Sequence, residues 1–125
     1  VHLVKVIDGE NQEVYWSNIT HNLTDMAEAA GIYEALWRPY RLKENYVPTE
    51  DYDKELDFED SVQVLVEEII PVLRKGLDNL LSRPKYFESF NSPNGWGTYK
   101  HFIPFVKDYL NACELNPKAT VMVWR

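Results

Sequence analysis

The feature that most constrains this fold is an apolar stripe that keeps its helical phase across a proline. Within residues 61–81, apolar side chains recur three and four positions apart on both sides of Pro71, which is the spacing of one buried helix face. The members of this stripe are Val62, Leu65, Val66, Ile69, Leu73, Gly76, Leu77 and Leu80. Pro71 falls among charged residues on the opposite face. We therefore predict one helix over residues 61–81, bent at Pro71 with the proline ring facing solvent.

The same periodicity predicts two more helices. The first covers residues 24–37, where Met26, Ala30, Tyr33, Leu36 and Trp37 share one face, and it ends before Pro39 because the residue before a proline is disfavoured in a helix. The third follows Thr98, which is expected to cap it, and stops at Asn116. Its apolar face is formed by Tyr99, Phe102, Ile103, Val106, Tyr109, Leu110 and Cys113. Pro104 is expected on its polar face.

Residues at both ends of the chain have the composition of strands. The ranges 2–7 and 13–20 predict a hairpin joined by the loop 8–12, and 120–125 predicts a third strand. The element order indicates an α+β fold, in which a small, mainly antiparallel three-stranded sheet (the N-terminal hairpin plus the C-terminal strand) packs against three helices. At 125 residues the chain fits one domain, 1–125, with the aromatic segment 40–60 packed on it as a loop.

Composition argues against several classes of protein. Hydrophobic residues make up 45% of the chain and aromatic residues 14%, which is enough for a packed core and argues against disorder. No stretch reaches the roughly 18 apolar residues of a membrane span, and the first residues lack the pattern of a signal peptide. Cys113 is the single cysteine, so stability is expected to come from packing rather than from a disulfide. These features favour a cytoplasmic location.

The negative charge is concentrated in one segment. The chain has a formal net charge of −7, and residues 50–60 hold Glu50, Asp51, Asp53, Glu55, Asp57, Glu59 and Asp60. Direct binding of nucleic acid is not expected, because phosphate contacts need clustered Lys and Arg. The segment has three interpretations: a solvated loop, a divalent-ion site, or a docking surface for a protein partner, such as a basic one, with Tyr52 and Phe58 as anchors.

No metal or cofactor is predicted. His2, His21, His101 and Cys113 lack the spacing of zinc ligands. Counting from Asp51, Leu56 occupies the position of the invariant EF-hand glycine and Val62 that of its glutamate, so the calcium-loop interpretation fails. The glycines form neither a phosphate-binding loop nor a dinucleotide fingerprint.

One segment gathers side chains that could perform acid–base chemistry. The residues SNITHNLTD (17–25) include His21, Asn22 and Asp25 at a strand-to-helix junction. His21 could act as a base near neutral pH, oriented by Asp25. In the alternative interpretation Thr20, Asn22 and Thr24 satisfy the free N–H groups of the first helix, with His21 exposed beside them.

A tryptophan between two glycines raises a similar choice. In NSPNGWGTY (91–99) the glycines allow a sharp turn, and Trp96 could fold back to seal the core. Alternatively, Asn94, Trp96 and Tyr99 line a shallow pocket, joined by His21 and Asn22. The pattern favours the sealing role but leaves the pocket open.

Three segments together resemble a group of small uncharacterised proteins from bacteria and their phages. These are SNITHNL (17–23), AGIYEALWRP (30–39) and NSPNGWGTY (91–99), together with the final short strand. The resemblance implies that the THN and NGWG motifs matter for a shared structure or site, but it implies no activity and no catalytic residue. A phage origin would favour a small acidic protein that binds and blocks a host component.

The leading functional hypothesis is a non-enzymatic protein-binding module. Its expected docking surface is the acidic aromatic segment, represented by Tyr52, Asp53, Glu55, Asp57 and Phe58. The alternative is a small enzyme or small-ligand binder with a cleft formed by His21, Asn22, Asp25 and Trp96. A homodimer through an exposed sheet edge or sheet face is a third possibility.

Overall fold

The computed structural model describes residues 1–123. Over this range the chain forms three strands and six helices: β1 (His2–Ile7), β2 (Glu10–Trp16), α1 (Thr24–Ala30), α2 (Tyr33–Trp37), α3 (Tyr52–Ser61), α4 (Val66–Ser82), α5 (Pro84–Glu88), α6 (Tyr99–Leu115) and β3 (Thr120–Met122). Short 3-10 turns lie at His21–Leu23 and Pro39–Leu42. The α+β class and the antiparallel three-stranded sheet are as predicted; the number of helices is not.

β1 lies at the centre of the sheet, antiparallel to both neighbours in the order β2-β1-β3. The predicted loop 8–12 is wrong, because β2 begins at Glu10. Asp8 and Gly9 have φ values of 52° and 81°, the left-handed pair that a two-residue hairpin turn requires. The register shifts between Leu3 and Val4 and leaves Val14 as the extra residue of a β-bulge.

The C-terminal strand is shorter than predicted. β3 ends at Met122, while Trp124 and Arg125 of the predicted strand lie outside the described residues. The extended segment 62–65 runs along the outer edge of β3, where the Val121 N–H donates to the Val64 carbonyl oxygen (2.9 Å). This edge of the sheet is therefore covered by the chain itself.

The first predicted helix is two helices. Gly31 adopts a φ of 82° and its N–H donates to the Ala27 and Glu28 carbonyl oxygens, which ends α1. A left-handed glycine at this position is a common helix stop. The apolar stripe continues from α1 into α2, so the pattern alone gave no sign of the break.

The predicted start of the second helix, residue 61, is also wrong. The acidic segment, expected as a loop, forms α3 and ends at Ser61, and α4 begins only at Val66. The Glu68 carboxylate accepts the Leu65 N–H (2.7 Å), which fixes the start of α4. Pro71 and Pro104 both lie exposed inside continuous helices, as predicted.

One hydrophobic core connects the sheet with the helices. Its most completely buried side chains come from β1, from α1 to α6 except α3, and from the turns between them: Leu3, Met26, Ile32, Leu36, Tyr40, Val66, Ile69, Leu73, Leu80, Phe87, Phe102 and Tyr109. α5 was not predicted, and it contributes Phe87 to this core. The core holds the loops before α1 and before α6 against each other.

Candidate functional site

The loop 91–97, which precedes α6, is held by its own hydrogen bonds. The Asn94 side-chain oxygen accepts the Trp96 N–H (2.9 Å) and the Ser92 hydroxyl (2.6 Å). The Gly95 N–H donates to the Ser92 carbonyl oxygen (3.1 Å), and the Tyr99 N–H donates to the Asn91 side-chain oxygen (2.7 Å). The loop is therefore preorganised, with a defined direction for residue 96.

Loop 91–97 packs on the segment before α1 through Gly97. Gly97 is buried with a φ of 85°, and a Cβ at this position would lie 2.8 Å from the Asn22 Cβ and 3.3 Å from the Leu23 Cγ. The backbone of one loop thus rests directly on the other, which is a typical use of glycine. The THN and NGWG motifs meet here.

Trp96 does not seal the core. Its side chain is 69% exposed, so the expectation that the indole folds back over α6 is wrong. The buried part of the loop is Gly97, and the indole projects beside the contact between the two loops. An indole held in solvent by a preorganised loop needs another explanation.

The indole borders a cleft between the two loops and α6. This Trp96 cleft has a volume of about 420 Å³. Apolar side chains form much of its lining: Ile19, Leu23, Trp96 and Phe105. Its polar side chains are those of Asn18, Thr20 and His101. No carboxylate lines this cleft among residues 1–123, although the chain is acidic.

His101 is the cleft residue that no sequence motif singles out. In the sequence it stands out only as a possible metal ligand, yet it lies on the first turn of α6 and lines the Trp96 cleft. Thr98 occupies the N-cap position of α6 as predicted, but its side chain makes no capping hydrogen bond. Its hydroxyl oxygen lies 3.0 Å from His101 Nδ1 instead. The four-residue spacing between His101 and Phe105 was the available signal, because it places both on one helix face.

The predicted acid–base residues do not converge on the Trp96 cleft. His21 contacts the Trp37 ring (centroids 6.3 Å apart) and lines a separate depression of about 50 Å³. Asp25 lies exposed in the first turn of α1. Asn22 packs against Gly97. Its N–H donates to the Thr20 hydroxyl (3.3 Å), which agrees in part with the interpretation that this segment satisfies the free N–H groups at the start of the first helix.

Tyr99 serves the fold rather than the cleft. Its hydroxyl donates to the Leu80 carbonyl oxygen at the end of α4 (2.8 Å). Asn94 acts within loop 91–97 as described above. Of the three pocket residues predicted around this loop, Trp96 is the one that lines the cleft.

Glu55 is not part of an exposed docking surface, which corrects the prediction. Its side chain points into the protein, and the residue is 5% exposed. The carboxylate accepts hydrogen bonds from Tyr40, Tyr46 and Arg41, each at 2.9 Å. Burial alone would raise the pKa of Glu55, but these hydrogen bonds and the charge of Arg41 outweigh burial and hold the pKa below its usual value.

The other residues predicted for the acidic surface divide between the two faces of α3. Phe58 is half-buried and packs on the Tyr46 ring (centroids 5.5 Å apart). Tyr52, Asp53 and Asp57 are exposed. The outer face of α3 therefore remains acidic, with Tyr52 as its exposed aromatic residue.

The described residues show neither a metal site nor a membrane-spanning helix. Residues 1–123 contain no cluster of three or more His, Cys, Asp or Glu side chains placed to hold a metal ion. In the same range, none of the helices combines the length and the apolar character of a membrane span.

Comparison with known proteins provides no family for this chain. No protein-family model, characterised protein or solved structure matches it.

Proposed function

We propose that this chain is a non-enzymatic binding module that holds an apolar side chain of a partner protein in the Trp96 cleft. The observation that carries the proposal is the combination of a hydrogen-bonded loop with an indole that is 69% exposed. Folding gains little from an indole in this position, since most of its surface stays in water. A partner that covers the indole would recover that free energy.

The geometry of the cleft supports recognition of a side chain. Tryptophan is enriched among the residues that dominate binding free energy, especially where a pocket lies beside it. A volume of about 420 Å³ falls in the range of small recognition pockets. Because loop 91–97 is ordered before binding, little conformational entropy is lost when a partner docks.

The same geometry favours binding over acid–base catalysis. The proposed base His21 and the carboxylate of Asp25 do not line the Trp96 cleft. His101 lines it, but the partner of its Nδ1 is the Thr98 hydroxyl and no carboxylate among the described residues lines the cleft, so His101 lacks the carboxylate partner that orients the histidine of a catalytic triad. A small apolar ligand is the second candidate occupant, because the lining would suit it equally.

Replacing Trp96 tests the proposal. We expect Trp96→Ala to weaken partner binding by about 2 kcal/mol or more, roughly thirty-fold, as at other aromatic hot spots. The melting temperature should hardly change, because the indole is exposed. The measurement is affinity capture from extracts of the source organism, followed by titration calorimetry with the purified partner.

Trp16→Ala is the matched control, since Trp16 is also exposed but lies on the sheet. Partner capture that is equal for wild type, Trp96→Ala and Trp16→Ala would refute the Trp96 cleft as the docking site. The double variant Asp53→Lys/Asp57→Lys tests the outer face of α3 in the same assay. Loss of capture in this variant alone would move the docking surface to α3.

A further inference from the structure

Asn94 is the only asparagine in the chain that is followed by glycine. Asparagine is a chemically labile residue, because the backbone nitrogen of the next residue can attack its side-chain amide carbon. Glycine has no side chain to obstruct this attack. Asn94 and Gly95 are both exposed, and a Cβ built on Gly95 would meet nothing within 4 Å. The five-membered ring that the attack produces therefore has room to form.

The side chain of Asn94 is folded along the peptide bond whose nitrogen would attack. Its Oδ1 accepts the N–H of Trp96 (2.9 Å), two residues further on, so the side-chain amide spans the Asn94–Gly95 peptide as in an Asx turn. This arrangement brings the amide carbon Cγ towards the Gly95 nitrogen. It also removes rotational freedom that an unfolded chain would have to lose before reacting.

Two donors point at the oxygen that gains negative charge during the attack. The Trp96 N–H and the Ser92 hydroxyl (2.6 Å) both donate to Asn94 Oδ1, and donors in this position stabilise a developing oxyanion. The Gly95 N–H donates to the Ser92 carbonyl oxygen (3.1 Å). This proton must pass to water before the nitrogen attacks, so the reaction is slow but needs no unfolding of the loop.

Asn91 lies in the same loop and lacks this arrangement. It is also exposed, and its side-chain oxygen accepts the Tyr99 N–H (2.7 Å). Tyr99 is eight residues further on, so the Asn91 side chain reaches across the loop rather than along its own peptide bond to Ser92. The two asparagines share a loop and an exposed position but differ in geometry, which makes Asn91 the internal reference.

We propose that Asn94 is a site of spontaneous deamidation in the folded protein, and that its conversion disables the Trp96 cleft. The Gly95 nitrogen forms a bond to Cγ, the bond from Cγ to the side-chain nitrogen breaks, and ammonia leaves with the proton that the Gly95 nitrogen has lost. Water then opens the cyclic imide. Hydrolysis at Cγ gives aspartate, and hydrolysis at the main-chain carbonyl carbon gives isoaspartate. Water is the one co-reactant.

Isoaspartate changes loop 91–97 more than aspartate does. In isoaspartate the main chain runs through Cβ and Cγ, so the backbone is one atom longer where hydrogen bonds hold Trp96. The free carboxylate also lies beside a cleft that no carboxylate lines among residues 1–123. Aspartate keeps the acceptor for the Trp96 N–H. The loss of binding rests on the proposed function of the Trp96 cleft, whereas the conversion of Asn94 does not.

The first test is incubation of the folded chain at about 37 °C and pH 8, followed by proteolysis and mass spectrometry, with isoaspartate identified by enzymatic methylation. We expect Asn94 to convert at least about tenfold faster than Asn91, because its reacting groups are held together. A parallel sample in guanidinium chloride gives the rate for the unfolded chain, which should not exceed the folded rate. A folded rate far below the unfolded rate overturns the proposal, since the hydrogen bonds would then protect Asn94. Equal conversion of Asn91 and Asn94 also overturns it.

The second test is hydrogen exchange of the Trp96 amide, which needs no partner. The isoaspartate form, separated by chromatography, should exchange this N–H at least about tenfold faster than the fresh chain. Asn94→Asp is the matched control and should keep the protection, because its carboxylate still accepts the N–H. Unchanged protection in the isoaspartate form refutes the effect on the cleft. If the protection is lost but Trp96→Ala leaves partner capture unchanged, the proposed function alone fails and Asn94 remains a modification site.

Discussion

Gly97 shows how a single residue joins two segments that lie far apart in the sequence. Its φ of 85° belongs to the left-handed region, and Asn22 occupies the space where a side chain would begin. Both properties require glycine, one through backbone conformation and the other through packing. Gly95 has a φ of 78° but open space around it, so the two glycines of the motif carry different constraints.

This difference gives a prediction at the residue scale. Gly95→Ala should lower the free energy of unfolding by about 1–2 kcal/mol, the cost of a left-handed alanine. Gly97→Ala should lower it by about 1–3 kcal/mol more, because the methyl group also forces Asn22 away. Urea unfolding of the two variants and wild type measures both values. Equal losses would mean that the contact with Asn22 relaxes without cost.

The orientation of the Trp96 indole could not be predicted from the sequence, because it depends on a contact between two segments that lie far apart in the chain. The two flanking glycines predicted a sharp turn at this position, and Gly95 and Gly97 both adopt left-handed φ values. Whether the indole points inward or outward depends on the contact between Gly97 and Asn22, and nothing in the local pattern encodes it. His101 was missed for the same reason, since its importance comes from the neighbours that the fold brings to it.

At the scale of elements, the sequence predicted best where apolar spacing and secondary structure agree. α6 and most of α4 follow an apolar stripe, and both were predicted through their internal prolines. α3 was not predicted because a carboxylate, Glu55, lies on its buried side. Its acidic residues therefore showed no apolar stripe and looked like those of a solvated loop. Gly31 divides α1 from α2 while the stripe continues across it, so spacing gave no warning of the break.

The hydrogen bonds and the Arg41 charge around the Glu55 carboxylate outweigh its burial and make the docking of α3 dependent on pH. The pKa of Glu55 is lower in the folded protein than its usual value of 4.5, so the folded state favours the ionised form. This contribution to stability is fully present above about pH 4.5 and is lost as pH falls through the folded-state pKa. Glu55→Gln should therefore cost about 1–3 kcal/mol of unfolding free energy at pH 7.

The cost of Glu55→Gln should shrink as the pH is lowered towards 3, since the wild-type carboxyl group then approaches its neutral form. Urea unfolding at a series of pH values measures this cost directly. Asp57→Asn is the control on the same helix, because Asp57 is exposed on the outer face of α3. A cost of Glu55→Gln that stays constant between pH 7 and pH 3 would contradict the ionised network with Arg41, Tyr40 and Tyr46.

At the scale of the whole molecule, the fold brings together the three sequence segments that stood out individually. Asn22 of the segment 17–23 contacts Gly97 of the segment 91–99, and His21 contacts Trp37 of the segment 30–39. The sequence identified the segments because each has unusual local composition. Their meeting depends on how the helices pack around one core, which no local pattern specifies, so the site itself was predicted only in part.

The single core also predicts how the molecule unfolds. Cys113 is fully buried on α6, and burial raises the pKa of its thiol to about 12, so reaction with a thiol reagent at pH 8 requires exposure first. If all elements share one cooperative core, the free energy of opening from the labelling rate of Cys113 should equal the free energy of unfolding from urea.

A destabilising change elsewhere provides the decisive comparison for Cys113. Gly97→Ala acts at the opposite end of α6, yet in a cooperative molecule it should lower the opening free energy at Cys113 by the same amount as the global unfolding free energy. The exposed-site change Trp96→Ala should alter neither. Labelling that proceeds at a much lower free energy than global unfolding, and does not respond to Gly97→Ala, would show that the C-terminal end of α6 opens on its own. The core around Cys113 would then be a separate unit from the core that supports the Trp96 cleft.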